Sequence, residues 1–263
     1  MALSMTAAVL WAAAVPEKNE RQPGQKTIEG YTNTPKQPAP NQKWSVHDPN
    51  RPQPPVAEPK YDGKPVPPPP DAKVIFGKGV DRLTNKKWKR VDDYVIARGG
   101  KQKTKDAFGD VHLHVEWYVP TGLKGWGQKQ GNSGIFLMDR YEIQVLNCWA
   151  NRTDPDGMAG AVYGQTPPLY NACRKPGQWQ AYDIHFKAPV FEDKKLKTPA
   201  YVTVFLNGVK VQDNTEIRGR TTHKRLPKYR PHGPTAPVAF QDHGNPVRFR
   251  NIWAAPLKLK LGP

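Results

Sequence analysis

From Val74 onward, the chain consists of short runs of alternating apolar and polar residues, separated by turn residues. The clearest run is residues 110–120 (DVHLHVEWYVP), in which every second side chain is apolar. A period of two predicts β-strands with one buried face. Asp139-Arg140 and Asn207-Gly208 separate neighbouring runs and predict tight hairpin turns. We therefore expect an all-β fold in which two antiparallel sheets pack as a sandwich or jelly roll.

Composition divides the chain into three parts. Residues 1–15 (MALSMTAAVLWAAAV) are too short for a membrane span and are similar to a secretory signal, which predicts an extracytoplasmic protein. Residues 16–72 form a proline-rich N-terminal arm that cannot build a core and should be extended. Within the arm, residues 44–55 (WSVHDPNRPQPP) either pack on the domain or form an undocked linker. Residues 73–259 form the domain.

The chain carries a formal net charge of +17, from 40 Lys and Arg against 23 Asp and Glu. We interpret this charge first as an ordinary basic surface, and as the alternative it favours an anionic partner, such as an anionic glycan or the cell envelope. Nucleic acid is an unlikely partner, because no recognition motif accompanies the basic segment 218–230. The two cysteines, Cys148 and Cys173, could pair in an exported protein or remain separate thiols.

The order of motifs resembles the 3-keto-disaccharide hydrolase domain family from about Lys73 to Leu257. The motifs that carry the resemblance are VIFGKGV, FGDVHLHVEW, GNSGIFLMDRYEIQVLN, AVYGQTPPLYNACRKPGQWQAYDIHFKAP, VTVFLNGVKVQDN and FQDHGNPVRFRNIW. The arm segment HDPNRPQPP looks like one that precedes this domain in some relatives. VIFGKGV departs from the family, which usually has an Asp before the Gly. The resemblance implies a concanavalin-like jelly roll and an extracytoplasmic protein that cleaves sugars oxidised to a ketone at C3.

The strand 141–146 (YEIQVL) places a carboxylate and a carboxamide on one face, Glu142 and Gln144. Burying an unpaired carboxylate costs several kcal/mol, so this face needs a partner or access to water. In a jelly roll, we expect both side chains to line a carbohydrate-binding groove on the concave sheet. In the alternative interpretation, Glu142 pairs with Arg248 or Arg250 and only ties strands together.

His112, His114 and Glu116 share the polar face of another strand. Two imidazoles and a carboxylate at this spacing could hold a divalent metal, and calcium is a possible cofactor. We prefer the interpretation in which Glu116 lines the groove.

Two further segments are dense with polar residues. In residues 241–251 (QDHGNPVRFRN), His243 is a candidate acid or base because its free pKa is near neutrality. Alternatively, this segment is a turn that satisfies its own backbone groups. Residues 161–171 (AVYGQTPPLYN) read as a loop. The predicted sugar-binding residues of these segments are Gln241, Tyr163, Gln165 and Asn171.

The reaction implied by the resemblance needs few catalytic groups. A C3 ketone acidifies the C2 hydrogen, so one base and one oxyanion stabiliser suffice for elimination of the C1 substituent. We expect His243 or Glu142 to be the base, with the other residue and Arg248 or Arg250 stabilising charge. Direct hydrolysis at C1 remains an alternative. Two other functions also remain open, a non-catalytic carbohydrate-binding module and a basic protein that binds polyanions.

Overall fold

The computed structural model describes residues 28–262, which are almost entirely β-structure and irregular chain. Two 3-10 helices interrupt the strands, at Gly127–Lys129 and Pro155–Gly157. The fifteen strands of the described residues are β1 (Lys73–Gly77), β2 (Val80–Asp81), β3 (Lys89–Val91), β4 (Tyr94–Ile96), β5 (Gln102–Phe108), β6 (Val111–Tyr118), β7 (Ser133–Leu137), β8 (Tyr141–Val145), β9 (Trp179–Lys187), β10 (Val190–Glu192), β11 (Lys195–Thr198), β12 (Ala200–Leu206), β13 (Val209–Ile217), β14 (Ala236–Phe240) and β15 (Arg248–Ala255).

The strands form two main antiparallel sheets. The nine-stranded sheet has the order β13-β12-β9-β6-β15-β1-β2, with β4 also paired to β15 and β3 paired to β4. The four-stranded sheet has the order β5-β14-β7-β8, and β10 and β11 form a separate hairpin. Consecutive strands pair in hairpins such as β7-β8 and β12-β13, whereas β15 pairs with β1 and β6 and β14 pairs with β5 and β7, which are distant in sequence, as in a jelly roll. The all-β sandwich expected from the sequence is confirmed.

The core lies between the two sheets. Side chains at alternate positions of β6 and β8 enter it, including the fully buried Leu113, Trp117 and Ile143. Each fully buried side chain of this size contributes roughly 1.5–3 kcal/mol relative to an exposed one. The polar side chains between them, among them Glu142 on β8, must therefore point away from the core.

The two predicted hairpins are present. Asn207 and Gly208 have φ values of 52° and 76° and join β12 to β13, as a two-residue type I′ turn requires. Between β7 and β8, the left-handed residues are Met138 and Asp139, with φ values of 52° and 57°. Because Leu137 pairs with Tyr141, the loop has three residues, and it begins one residue before the predicted pair Asp139-Arg140.

The described part of the arm packs on the domain. Val46 is fully buried, and Val56 forms a parallel bridge with Asn171. Further along, the Lys60 amide donates to the carbonyl of Asn207, and the Val66 amide donates to Glu116 on the nine-stranded sheet. Of the two interpretations of residues 44–55, the structure therefore supports the one in which part of the segment packs on the domain.

The signal-like segment 1–15 lies outside the described residues, and export stays a prediction. Within residues 28–262, no helix has the length and apolar character needed to cross a membrane.

Candidate functional site

A pocket of about 880 Å³ opens on the outward face of the four-stranded sheet. Its wall combines two pieces of the arm, strands β7 and β8, and the segments that follow β6, β8, β13 and β14. The lining residues are Ile28, Glu29, Gly30, Tyr31, His47, Gln128, Asn132, Phe136, Glu142, Gln144, Asp154, Tyr163, Thr221, Thr222, His223, Gln241 and His243.

Glu142 contributes a carboxyl group that is only 3% exposed. Its side chain lies across Gly134 on the neighbouring strand, where any Cβ would overlap with the carboxyl oxygen. Burial raises the pKa of Glu142 to about 8, and the distant charge of Lys101 offsets this only in part. At neutral pH, Glu142 is therefore mainly protonated and can donate a proton.

Carboxamides surround Glu142. The amide of Gln144 lies 3.0 Å from that of Gln128, 3.4 Å from that of Asn132 and 3.3 Å from the Glu142 carboxyl. Gln128 is itself fixed, because its Nε2 donates to Thr153 Oγ1 at 3.0 Å. Such amides can donate to and accept from sugar hydroxyls, so this part of the pocket suits a carbohydrate.

A second group of ionisable residues lies where the arm meets the loop after β8. His47 Nδ1 lies 2.6 Å from Asp154 Oδ2, and the His47 backbone amide donates to Asp156 Oδ2 at 3.0 Å. Burial alone would lower the pKa of His47, but the hydrogen bond and charge of Asp154 and the charge of Asp156 raise it overall. The carboxylates of Asp154 and Asp156 therefore favour the charged form of the imidazole.

Tyr163 and His223 pack beside His47. The Tyr163 hydroxyl lies 3.1 Å from His223 Nδ1, and both rings lie close to His47, with centroids 4.7 and 5.3 Å away. Burial, followed by the charges of His47 and Lys224, lowers the pKa of His223. His223 is therefore neutral at pH 7 and can accept a proton.

His47, Asp154 and Asp156 also bring three possible metal ligands within 4.8 Å of one another. The 2.6 Å separation of Nδ1 and Oδ2 is that of a charge-assisted hydrogen bond. This geometry is typical of a carboxylate that orients an imidazole. The ligand set considered from the sequence is His112, His114 and Glu116 on β6. There, the His112 and His114 rings each lie 3.0 Å from the Asp183 carboxylate.

Five of the predicted site residues meet at the pocket. Glu142 and Gln144 line it from β8, Tyr163 from the following loop, and Gln241 and His243 from the loop after β14. His243 is exposed at the rim.

The structure places Glu116, Arg248 and Arg250 outside the pocket, contrary to expectation. Glu116 is fully buried on the outer face of the nine-stranded sheet, where Arg250 Nε donates to Oε2 at 2.7 Å. Arg248 lies over the rings of Tyr94 and Tyr118. The two arginines are on β15, which belongs to the other sheet, so the anion stabilisation expected of them is not available in this pocket.

The side chains of Gln165 and Asn171 form hydrogen bonds to backbone carbonyls and do not face the pocket. The Gln165 side chain is 1% exposed and donates to the carbonyl of Gly219. Asn171 donates from Nδ2 to the carbonyl of Cys148. Both side chains therefore fix loops, and neither lines the pocket.

Sequence reasoning missed His47, Asp154, Asp156 and His223 as site residues. The available signal for His47 is that residues 44–55 combine a Trp, a His, an Asp and an Arg, which is unusual for a proline-rich linker. The TDPDG segment and the histidine within the basic segment 218–230 carry no pattern that places them beside the arm.

The fold and the pocket are those of a carbohydrate-active protein. Residues 71–255 match the profile of the 3-keto-alpha-glucoside-1,2-lyase-like domain, and the chain belongs to this family. No match was found among the curated proteins.

The chain is also similar to several solved structures. A protein of Parabacteroides distasonis ATCC 8503, provisionally named a glycosyl hydrolase, is 40% identical with a TM-score of 0.70, over 79% of this chain and 93% of its own. A second protein from that organism with the same provisional name is 22% identical with a TM-score of 0.49, and the match covers 71% of this chain and 99% of that protein. The alginate lyase Aly36B is 9% identical with a TM-score of 0.39, and the match covers 74% of this chain and 99% of the lyase.

Proposed function

We propose that this pocket cleaves the glycosidic bond of 3-keto-glycosides. Family membership supports the class of substrate. The proposal rests mainly on Glu142, a buried carboxyl group whose raised pKa keeps it protonated near neutral pH. The same pocket is lined by two histidines, His223 and His243. A proton donor and a proton acceptor in one sugar-sized cavity are what the reaction needs.

The reaction begins with removal of the C2 hydrogen, which the C3 ketone acidifies. A rim histidine takes this proton, and the electrons of the C2–H bond form an enolate with its charge on the C3 oxygen. The Tyr163 hydroxyl, whose pKa is raised by burial, stays protonated and can donate to that oxygen.

Cleavage follows when the enolate expels the C1 substituent with its bonding electrons. Glu142 supplies the proton that neutralises the departing oxygen, and it regains a proton from solvent or from the histidine. Water then adds to the unsaturated sugar, so that elimination followed by addition gives the hydrolysed product.

Turnover of matched substrates tests the proposal. We expect the wild type to release aglycone from 3-keto-glycosides and not from their unoxidised parents. Glu142→Gln should lower kcat about 10²- to 10³-fold because it cannot donate an acidic proton. Glu192→Gln, at an exposed glutamate on β10, is the matched control and should retain activity. Sugar binding without release from any substrate would instead indicate a carbohydrate-binding module.

A further inference from the structure

The arm forms part of the pocket although it lies before the residues that match the family. The match begins at residue 71, whereas the arm residues Ile28, Glu29, Gly30, Tyr31 and His47 all line the cavity. Glu29 Oε2 accepts a hydrogen bond from the backbone amide of Gln128 at 3.0 Å. Without the arm, one wall of the pocket would be open to solvent.

His47 is the arm residue most firmly held by the domain. It is 2% exposed, and both its imidazole and its backbone amide are bound by carboxylates of the loop after β8. Gln37, also from the arm, donates to Asp156 and to the carbonyl of Gly164. The arm and this loop are therefore joined by a buried polar network, which is costly to disrupt.

The backbone of His47 has a φ of 60°, in the left-handed region. For a residue other than glycine, such a conformation costs about 1 kcal/mol or more and persists where the surroundings impose it. Here the Tyr31 amide donates to the His47 carbonyl at 2.7 Å. The strain places the imidazole between Asp154 and the rings of Tyr163 and His223.

We propose that the arm completes the active site and that His47 is a positioning residue, which holds Tyr163 and His223 in place by ring contact and charge. Where it concerns turnover, this inference rests on the function proposed above. Asp154 fixes the orientation of His47 through Nδ1. Within the described residues, Nε2 has no hydrogen-bond partner and lies close to Gly164.

The charge of His47 also acts on His223. The charged groups that affect His223 besides His47 are Lys224 beside it in the chain, Asp154 behind His47 and His243 on the rim, and the ring of Tyr31 also packs against it. Lys224 and His243 act in the same direction as His47 and lower the pKa of His223, whereas Asp154 raises it. Replacing His47 therefore removes one of the charges that lower the pKa of His223.

His47→Asn in the full chain tests the inference. Asparagine tolerates the left-handed backbone, and its side-chain amide can still donate to Asp154, so the substitution removes the ring and the charge with little other change. Gln42→Ala, at an exposed arm residue, is the matched control. Thermal unfolding shows whether each variant is folded.

The first readout is the pKa of His223, measured by NMR titration. We expect it to rise in His47→Asn and to stay unchanged in Gln42→Ala. We also expect kcat on a 3-keto-glycoside to fall about 10²-fold with a smaller change in KM, because misplaced catalytic groups slow the chemical step. If His47→Asn does not fold, the wild type still provides a test, since the His223 resonances should show a second step at the pKa of His47.

An unchanged His223 pKa in a folded His47→Asn variant, or a single-step titration in the wild type, would overturn the inference. So would stoichiometric binding of Ca²⁺, Mn²⁺ or Zn²⁺ that His47→Asn abolishes, because His47 would then be a metal ligand. A shifted His223 pKa in a protein that cleaves no 3-keto-glycoside would support the coupling and refute the proposed function.

Discussion

His47 Nδ1 lies 2.6 Å from Asp154 Oδ2, although 107 residues separate them in the sequence. This contact joins the proline-rich arm to the loop that follows β8. The same loop carries Tyr163, whose hydroxyl reaches His223 at 3.1 Å. One wall of the pocket is therefore built from three segments that are remote in sequence, whereas Glu142 and Gln144 come from a single strand.

The buried Glu142 predicts a pH-dependent stability. Its pKa is about 8 in the folded protein against an ordinary value of 4.5, so the folded state holds a proton that the unfolded state loses between these pH values. This group therefore makes the free energy of unfolding fall as pH rises from about 4.5 to about 8. Glu142→Gln removes this slope.

We expect Glu142→Gln to be more stable than the wild type by about 2 kcal/mol or more at pH 8, and similar to it at pH 4. Urea unfolding across this range measures the difference. Parallel stability profiles of the two proteins would show that the carboxyl group ionises normally in the folded state.

Gly134→Ala tests the placement of Glu142. The added Cβ would overlap with the Glu142 carboxyl oxygen, which must move. We expect a loss of roughly 1–3 kcal/mol in stability, together with a large loss of kcat. Gly233→Ala is the control, because a Cβ at Gly233 meets nothing within 4 Å. Full activity in Gly134→Ala would mean that the position of Glu142 is unimportant.

Glu116 should be important for stability and unimportant for chemistry. Its carboxylate accepts hydrogen bonds from Arg250, Asn251 and the Val66 amide of the arm. Removing one partner from a buried ion pair costs about 3 kcal/mol or more. We therefore expect Glu116→Gln to destabilise the fold and to speed trypsin cleavage after Lys60, an exposed arm residue, with kcat per folded molecule unchanged. A selective loss of kcat at full stability would return Glu116 to the active site.

The two cysteines should be unreactive in the folded protein. Cys148 and Cys173 are each 1% exposed and free, and burial, followed by the interaction with Cys173, raises the pKa of the Cys148 thiol. A thiol-specific reagent should label neither residue in buffer and both in urea. Rapid labelling of the native protein, or no labelling after unfolding, would contradict this description.

Local sequence patterns predicted most of the strands. Alternation identified β6 and β8 and placed Glu142 and Gln144 on the face away from the core. Strand β5 has no such alternation of apolar residues, because its buried positions Gln102 and Thr104 are polar and its exposed positions include Lys105. A period-two pattern without apolar residues does not distinguish a strand from a charged loop.

The location of the pocket could not be predicted from the same patterns. Glu116 and Glu142 each lie on the polar face of an alternating strand, yet one face is covered by the arm and the other forms the pocket. Which face the arm covers depends on contacts between distant residues, such as Val66 with Glu116 and His47 with Asp154. No local spacing encodes these pairs.

The most direct test of the proposed function is cleavage of a 3-keto-glycoside by the wild type in D₂O, with the released sugar analysed by mass spectrometry and NMR. Abstraction of the C2 hydrogen followed by addition of water predicts one deuterium at C2 of each sugar released, above the exchange seen without enzyme. Release without deuterium at C2 would contradict elimination and indicate direct hydrolysis, and failure to release aglycone would contradict the proposed activity.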